Sequence, residues 1–258
     1  MKRFISLCIA LCAITVLTAQ NQFTAQELSL KGDSAYMAKK YKAAVEYYEQ
    51  AAEQGDAHAQ YRLAECYYTK KGVHRNYDKA YEWSEKGAAQ GNAGAQYILG
   101  ACYYRGRGVK RDNKKAFDLF TLAANQGLAV AMQELGCCYA DGIGTEINEQ
   151  EAVRWFSAAA GQGLADGQFL LASCYYSGTG IEQDYNKAYY WYRKAAYQEH
   201  TQAQYFLGMC YYAGEGIDKN NQEAIKWLQK SLRNGLDGER AVMAREMLRR
   251  MAAPVEIM

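Results

Sequence analysis

The chain has 258 residues, with 30 basic and 28 acidic side chains and a formal net charge of +2. That balance, with no basic run longer than pairs such as Lys39-Lys40, argues against nucleic acid as a partner, because binding a polyanion draws on a surplus of Lys and Arg to release counterions. One proline against 23 tyrosines excludes a loop-rich secreted knot and points to helices with many aromatic contacts.

Met1-Lys2-Arg3 is a short basic start, Phe4 to Leu17 is an apolar run, and Thr18-Ala19-Gln20 follows. This is the layout of a secretory signal peptide at residues 1–19, with cleavage expected after Ala19. The apolar run is shorter than the roughly 18 to 20 residues of a spanning helix. No stable membrane insertion is therefore expected after cleavage. Cys8 and Cys12 follow Leu7 and Leu11, where a lipid-modified leader carries a small residue. The leader removes Lys2 and Arg3 and no acid, so the mature chain is close to neutral.

Residues 20–56 read as an N-terminal helical hairpin. After it one phrase recurs: "LAECYYTKKGV" (63–73), "LGACYYRGRGV" (99–109), "LGCCYADGIGT" (135–145), "LASCYYSGTGI" (171–181) and "LGMCYYAGEGI" (207–217). The step is 36 residues each time, which defines five units at 57–92, 93–128, 129–164, 165–200 and 201–236. A fixed period of this size is the mark of a stacked repeat architecture.

Each unit predicts two helices. Leu, Cys and Tyr at unit positions 7, 10 and 11 (Leu99, Cys102 and Tyr103 in the second unit) share one helix face. Position 8 is always Gly or Ala, which predicts a close approach of the second helix. The glycine pair, Gly106 and Gly108 in the second unit, ends the first helix in a turn. It is not a phosphate loop, since neither G-x-G-x-x-G nor a P-loop lysine pattern is completed and no strand precedes it. Position 20 is Asn or Asp throughout (Asn76, Asp112, Asn148, Asp184, Asn220) and predicts a helix cap. Asn148 with Glu151, and Asn220 with Glu223, have capping-box spacing. The second helix ends near Gly91, Gly127, Gly163 and Gly235. Residues 237–252 read as a capping helix with charges on one side, so a monomer is expected, with a solenoid that self-assembles through its ends as the alternative. Residues 253–258 read as a flexible tail.

The stretch "AGAQYILGACYYRGRGVKRDNKKAFDLFTLAANQG" (93–127) strongly resembles the Sel-1-like repeat, a relative of the tetratricopeptide repeat, through Ala95, Gln96, Leu99, Gly100, Tyr103, Gly106, Gly108, Val109, Asp112, Lys115, Ala116, Ala123, Ala124 and Gly127. "YKAAVEYYEQAAEQG" (41–55) is more similar to a tetratricopeptide second helix without the glycine loop. The resemblance implies an all-α, right-handed α-solenoid of stacked helix-turn-helix repeats, with a concave face lined by the first helices. It implies an exported scaffold or adaptor that binds a protein or peptide, most often in a Gram-negative periplasm, without a cofactor. The third unit departs from the pattern at Met132, Gln133 and Thr145.

Positions 5, 9 and 12 form one stripe on the first helix, and the resemblance turns it into the groove. Position 5 supplies Tyr61, Tyr97, Phe169 and Tyr205; position 12 supplies Tyr68, Tyr104, Tyr176 and Tyr212; between them lie Glu65 and Met209. These are the candidate ligand-binding residues. The alternative is that the same rings pack between neighbouring first helices. Position 11 is assigned to the core. Cys66, Cys102, Cys138, Cys174 and Cys210 recur at one position. Stacked helices lie roughly 8 to 10 Å apart, beyond the roughly 7 Å between Cα atoms of a disulfide, so buried free thiols are expected and no bridge. Thiols spread along a stack do not converge on a metal. Cys137 falls on the groove stripe and is a candidate reactive thiol. Some proteins of the resembling family have been assigned penicillin-binding or β-lactamase-like activity, or bind peptidoglycan fragments, but this chain has no Ser-x-x-Lys, G-x-S-x-G or H-E-x-x-H motif. No catalytic residue is expected.

Overall fold

Thirteen α-helices and no β-strand make up residues 23–252, the part that the computed structural model describes. The expected leader and the tail at 253–258 lie outside the described residues. The helices are α1 (Ala25–Met37), α2 (Tyr41–Glu53), α3 (Ala57–Thr69), α4 (Tyr77–Ala89), α5 (Ala93–Arg105), α6 (Asn113–Asn125), α7 (Ala129–Asp141), α8 (Glu149–Gly161), α9 (Ala165–Ser177), α10 (Tyr185–Tyr197), α11 (Thr201–Ala213), α12 (Asn221–Arg233) and α13 (Gly238–Ala252). They group into two units, Met1–Arg111 and Asp112–Met258. In the first, α1 packs on α2 and α3 on α4, while α2 meets α3 and α4 meets α5. In the second, α7 pairs with α8, α9 with α10 and α11 with α12, each pair touching the next, and α13 packs on α12.

The caps explain why the helices begin where they do. Asn76, Asp112, Asn148, Asp184 and Asn220 have extended backbone, and each accepts a hydrogen bond from the backbone N–H three residues on. Only half of each expected capping box forms. Glu151 turns to Arg154 at 3.0 Å, and Glu223 turns to Lys226 and to the Trp227 indole at 3.1 Å. A cation or an indole N–H one turn along outcompetes a return to the cap backbone. The complete box is at Thr24 and Glu27, where the lysine one turn along, Lys31, lies over the Phe23 ring instead.

The glycine pair has two separate functions. The first glycine is the left-handed C-cap of its helix: Gly106 has φ 63°, and Lys70 takes the same conformation at φ 66°. The second glycine is a contact. A Cβ on Gly108 would fall on the backbone carbonyl of Tyr77, and one on Gly216 on that of Tyr185. Each loop thus seats against the start of the preceding unit's second helix. Position 8 behaves as expected, since a Cβ on Gly136 would strike the Phe156 ring and one on Gly208 would meet Leu228. The recurrent cysteines are buried and free. Burial pushes Cys66, Cys102, Cys138 and Cys210 up to about 12 and Cys174 to about 11, so they act as small apolar residues. At position 11 only Tyr67 is buried. Tyr103, Tyr139 and Tyr211 are half-buried and stand edge-on to Tyr81, Phe117 and Tyr189 of the preceding second helices. The core assignment is corrected there: a ring long enough to reach the previous unit keeps one edge in solvent.

Candidate ligand-binding groove

The first helices of the second unit bring α7, α9 and the start of α11 onto one face. Between them lies a cavity of about 490 Å³, lined by Gln133 and Cys137 of α7, Asp166, Phe169 and Leu170 of α9, and His200, Thr201 and Gln202 at the head of α11. The sequence stripe contributes Phe169 and Cys137 to it.

His200 organises this cavity. It is the N-cap of α11: the Ala203 backbone N–H donates to Nδ1 at 3.1 Å. That bond requires Nδ1 to be unprotonated, so the proton sits on Nε2, which is 3.0 Å from Asp166 Oδ1. The Phe169 ring stacks on the imidazole, with centroids 4.7 Å apart. Burial holds His200 below its ordinary value, with Asp166 pulling the other way. The imidazole is a neutral wall held in one orientation by three partners. Asp166, by contrast, keeps 60% of its side chain exposed.

Cys137 is half-buried. Burial first, then the charges of Glu134, Asp141 and Asp166, push its thiol up to about 12. That shift favours the thiol form at neutral pH, which works against the reactivity expected of it from the sequence. The same shift reports the charges of Glu134, Asp141 and Asp166 near Cys137, of which Asp166 lines the cavity.

The other stripe residues separate by neighbour. Tyr205 is 4% exposed and its hydroxyl points to the Met243 sulfur at 3.7 Å. Met209 packs in the same cluster as Leu236, Ala241 and Ala244. The capping helix covers both, so neither belongs to an open groove. Tyr61 lies against the next first helix, where a Cβ on Gly94 would come 2.7 Å from its ring. Tyr97 is half-buried beside Ile98 and Cys102. Glu65 is an ion-pair partner of Arg62. At position 12, Tyr68 and Tyr176 are edge-on to Tyr77 and Tyr185 at 5.5 and 5.3 Å, while Arg111 and Lys219 lie 5.7 and 5.5 Å from the Tyr104 and Tyr212 rings. Among the described residues no group of three or more His, Cys, Asp or Glu could hold a metal ion, and no helix is long and apolar enough to cross a membrane.

Sequence reasoning missed His200 and Asp166. The signal was position 36, which holds Asn92, Leu128, Leu164 and His200 and supplies the cap of the next first helix in two of these cases. A histidine among asparagine and leucines marks a cap with a second use.

A stack of two-helix units bearing an aromatic pocket on its first-helix face defines a helical-repeat scaffold, a class whose general role is protein–protein interaction. The chain belongs to the Sel1 repeat family, which it matches at residues 25–56, 57–92, 93–128, 129–164, 165–200 and 201–236. The family match thus extends to the N-terminal hairpin. A Sel1 repeat protein from Oxalobacter formigenes is 32% identical, with 81% of this chain and 86% of that one covered and a TM-score of 0.69. A protective antigen of uropathogenic Escherichia coli with an SLR fold is 27% identical at a TM-score of 0.70; 89% of this chain matches 54% of that longer protein. A Sel1 repeat protein from Klebsiella pneumoniae is 28% identical, covers 80% and 98%, and has a TM-score of 0.51. No curated protein matches the chain. Sel1 repeat proteins are typically scaffolds without enzymatic activity.

Proposed function

We propose that the chain is an exported scaffold that holds a peptide segment of a protein partner on its first-helix face, between α7, α9 and α11. The single observation that carries this reading is the cavity walled by Phe169 and His200 and opened onto the exposed carboxylate of Asp166. Pockets with apolar walls and a few convergent polar groups are the usual form of a recognition site. The negative surroundings of Cys137 favour a ligand with a Lys or Arg side chain: its apolar stem lies on Phe169 and its charge meets Asp166. Export rests on the leader-like residues 1–19, and a Gram-negative periplasm fits it.

The test is crosslinking capture from the native envelope fraction with the mature chain as bait, beside an Asp166→Asn/Phe169→Ala variant whose circular dichroism is unchanged. Partners captured by the native bait and lost with the variant support the reading. Partners retained by the folded variant place the interaction elsewhere. Recovery of the precursor only in the cytoplasmic fraction would sink the export assignment independently.

A further inference from the structure

The two glycine loops of the first unit carry a charge pattern that the stacking does not require. Residues 70–75 hold Lys70, Lys71 and Arg75, and residues 105–110 hold Arg105, Arg107 and Lys110, with no acid in either stretch. Among the described residues, none of these six is in an ion pair with a carboxylate. Five of them are exposed and Arg107 is half-buried.

Two of the cations are held in place by tyrosines. Lys71 Nζ donates to the Tyr36 hydroxyl at 2.8 Å and lies 5.7 Å from the Tyr41 ring centroid. One unit later, Arg107 donates to the Tyr68 hydroxyl at 3.2 Å, and its guanidinium carbon lies 4.8 Å from the Tyr77 ring. The ring pairs are built alike, with Tyr36 edge-on to Tyr41 at 5.1 Å and Tyr68 edge-on to Tyr77 at 5.5 Å. Arg107 spends one of its five donors on Tyr68 and retains the rest. The rings position the charges without neutralising them.

The fold does not need these cations. The equivalent residues of the later units are Ile143, Thr179 and Glu215, and their loops seat in the same way. In one of them the Glu215 carboxylate acts on the Tyr176 hydroxyl and raises it, reversing the polarity. The loops of the second unit carry Asp141, Glu146, Glu182 and Asp218. The chain as a whole has no basic surplus for a long polyanion, whereas a short carboxylate-bearing segment fits one patch. Successive first helices are about 10 Å apart, and an extended strand advances about 3.3 Å per residue. Neighbouring cations in the ladder thus match carboxylates about three residues apart.

We propose that the two basic loops of the first unit form a docking site for an acidic peptide segment of a protein partner, with Lys71 and Arg107 each taking one carboxylate. This site is independent of the pocket at Asp166.

The experiment is fluorescence anisotropy with the mature chain and a labelled ten-residue peptide carrying Glu at every third position among Gly and Ser, beside its Gln counterpart. The Glu peptide is expected to bind with affinity that falls as salt rises, and the Gln peptide to bind at least tenfold more weakly. Lys71→Gln/Arg107→Gln is expected to weaken Glu-peptide binding by tenfold or more, and Lys86→Gln, on α4 away from the loops, to leave it unchanged. Should the double variant misfold, Lys70→Gln/Lys110→Gln, which removes only peripheral charge, is expected to weaken binding severalfold. Equal binding by wild type and folded variants overturns the proposal. So does tighter binding of a 20-nucleotide single-stranded DNA with the same dependence on Lys71 and Arg107, which makes the patch a general polyanion surface. Salt-sensitive dimerisation in sedimentation velocity that Lys71→Gln/Arg107→Gln abolishes also overturns it, because the occupant is then the acidic loop of a second copy.

Discussion

Gln198 donates its side-chain amide to Gln168 Oε1 at 2.9 Å and to the carbonyl of Gly163 at the same distance. Gln168 in turn reaches back to the carbonyl of Ala160. The first unit repeats the arrangement, with Gln90 bonded to Gln60 at 2.8 Å and to Gly55 at 3.0 Å, and Gln60 to Ala52. An amide chain therefore ties the first helices that carry Gln60, Gln168 and Gln204 to their own second helices and to the unit before. Gln204, fully buried, bonds Ala196 and accepts from Asn234. Gln204→Ala leaves those groups without partners and should cost about 1–3 kcal/mol, seen as a lower urea midpoint at unchanged slope. Gln202→Ala, on the exposed side of the same helix, should cost less than about 0.5 kcal/mol. Equal midpoints for the two variants would refute the amide chain.

The third unit tests the same chain in reverse. Met132 replaces the glutamine there, so Gln162 keeps its bond to the Gly127 carbonyl at 2.9 Å but meets a sulfur at 3.5 Å in place of the amide oxygen. Met132→Gln should supply an oxygen acceptor and stabilise by about 0.5–1.5 kcal/mol. An unchanged or lower Tm would show that the buried sulfur packs better than an amide bonds.

The two glycines of a loop should respond differently to substitution. Gly106→Asn keeps a left-handed cap in a residue that tolerates it and should cost less than about 1 kcal/mol. Gly108→Ala drives a Cβ onto the Tyr77 carbonyl and should cost more than the roughly 1–2 kcal/mol of the backbone conformation alone. Thermal denaturation of the two variants decides it; the reverse order would mean that the loop can lift off its neighbour.

The stability of the second unit should depend on His200 below neutral pH. Its folded value is held below the ordinary 6.5, chiefly by burial, so the unfolded chain takes up the proton first. The contribution is intact above about 6.5 and is lost as pH falls below it, because protonated Nδ1 can no longer accept from Ala203. His200→Asn retains a cap of the kind at Asn92 and should reduce the fall in Tm between pH 7 and pH 5, by the equivalent of a cap, about 1 kcal/mol. Parallel Tm curves for wild type and variant would remove His200 from this role.

Cys137 should resist alkylation. With its thiol pushed up to about 12 by burial and nearby acids, the thiolate fraction at pH 7.5 is negligible. Mass spectrometry after brief iodoacetamide treatment should find it unlabelled in the native chain and labelled in urea. Rapid native labelling would restore it as a reactive group.

The repeat period, the cap residues and the buried cysteine row were legible because each repeats in every unit or follows one helix's own geometry. The groove was legible only in part. Spacing within α11 places Tyr205 on the same stripe as Met209, but it carries no information on α13, which covers both. The pairing of Tyr68 with Tyr77 joins two helices across a loop and leaves no local pattern. Position 4 holds glutamine in four of the five units and position 34 glutamine or asparagine in all five. That constancy was readable, and burial turns it into the amide chain. The Asp166–His200 pair joins the start of α9 to the cap of α11 through a residue type that occurs three times in the chain, too seldom for any period to reveal.

The seat of each second glycine on a backbone carbonyl has a further consequence. Every residue type presents the same carbonyl, so each unit recognises its neighbour without reading that neighbour's side chains. Units joined in this way can be copied, deleted or shuffled by recombination at the 36-residue step, and the new junction fits as the old one did. Surface residues are then free to drift separately in each copy, which is how one array comes to carry lysine and arginine in its first loops and aspartate and glutamate in its last.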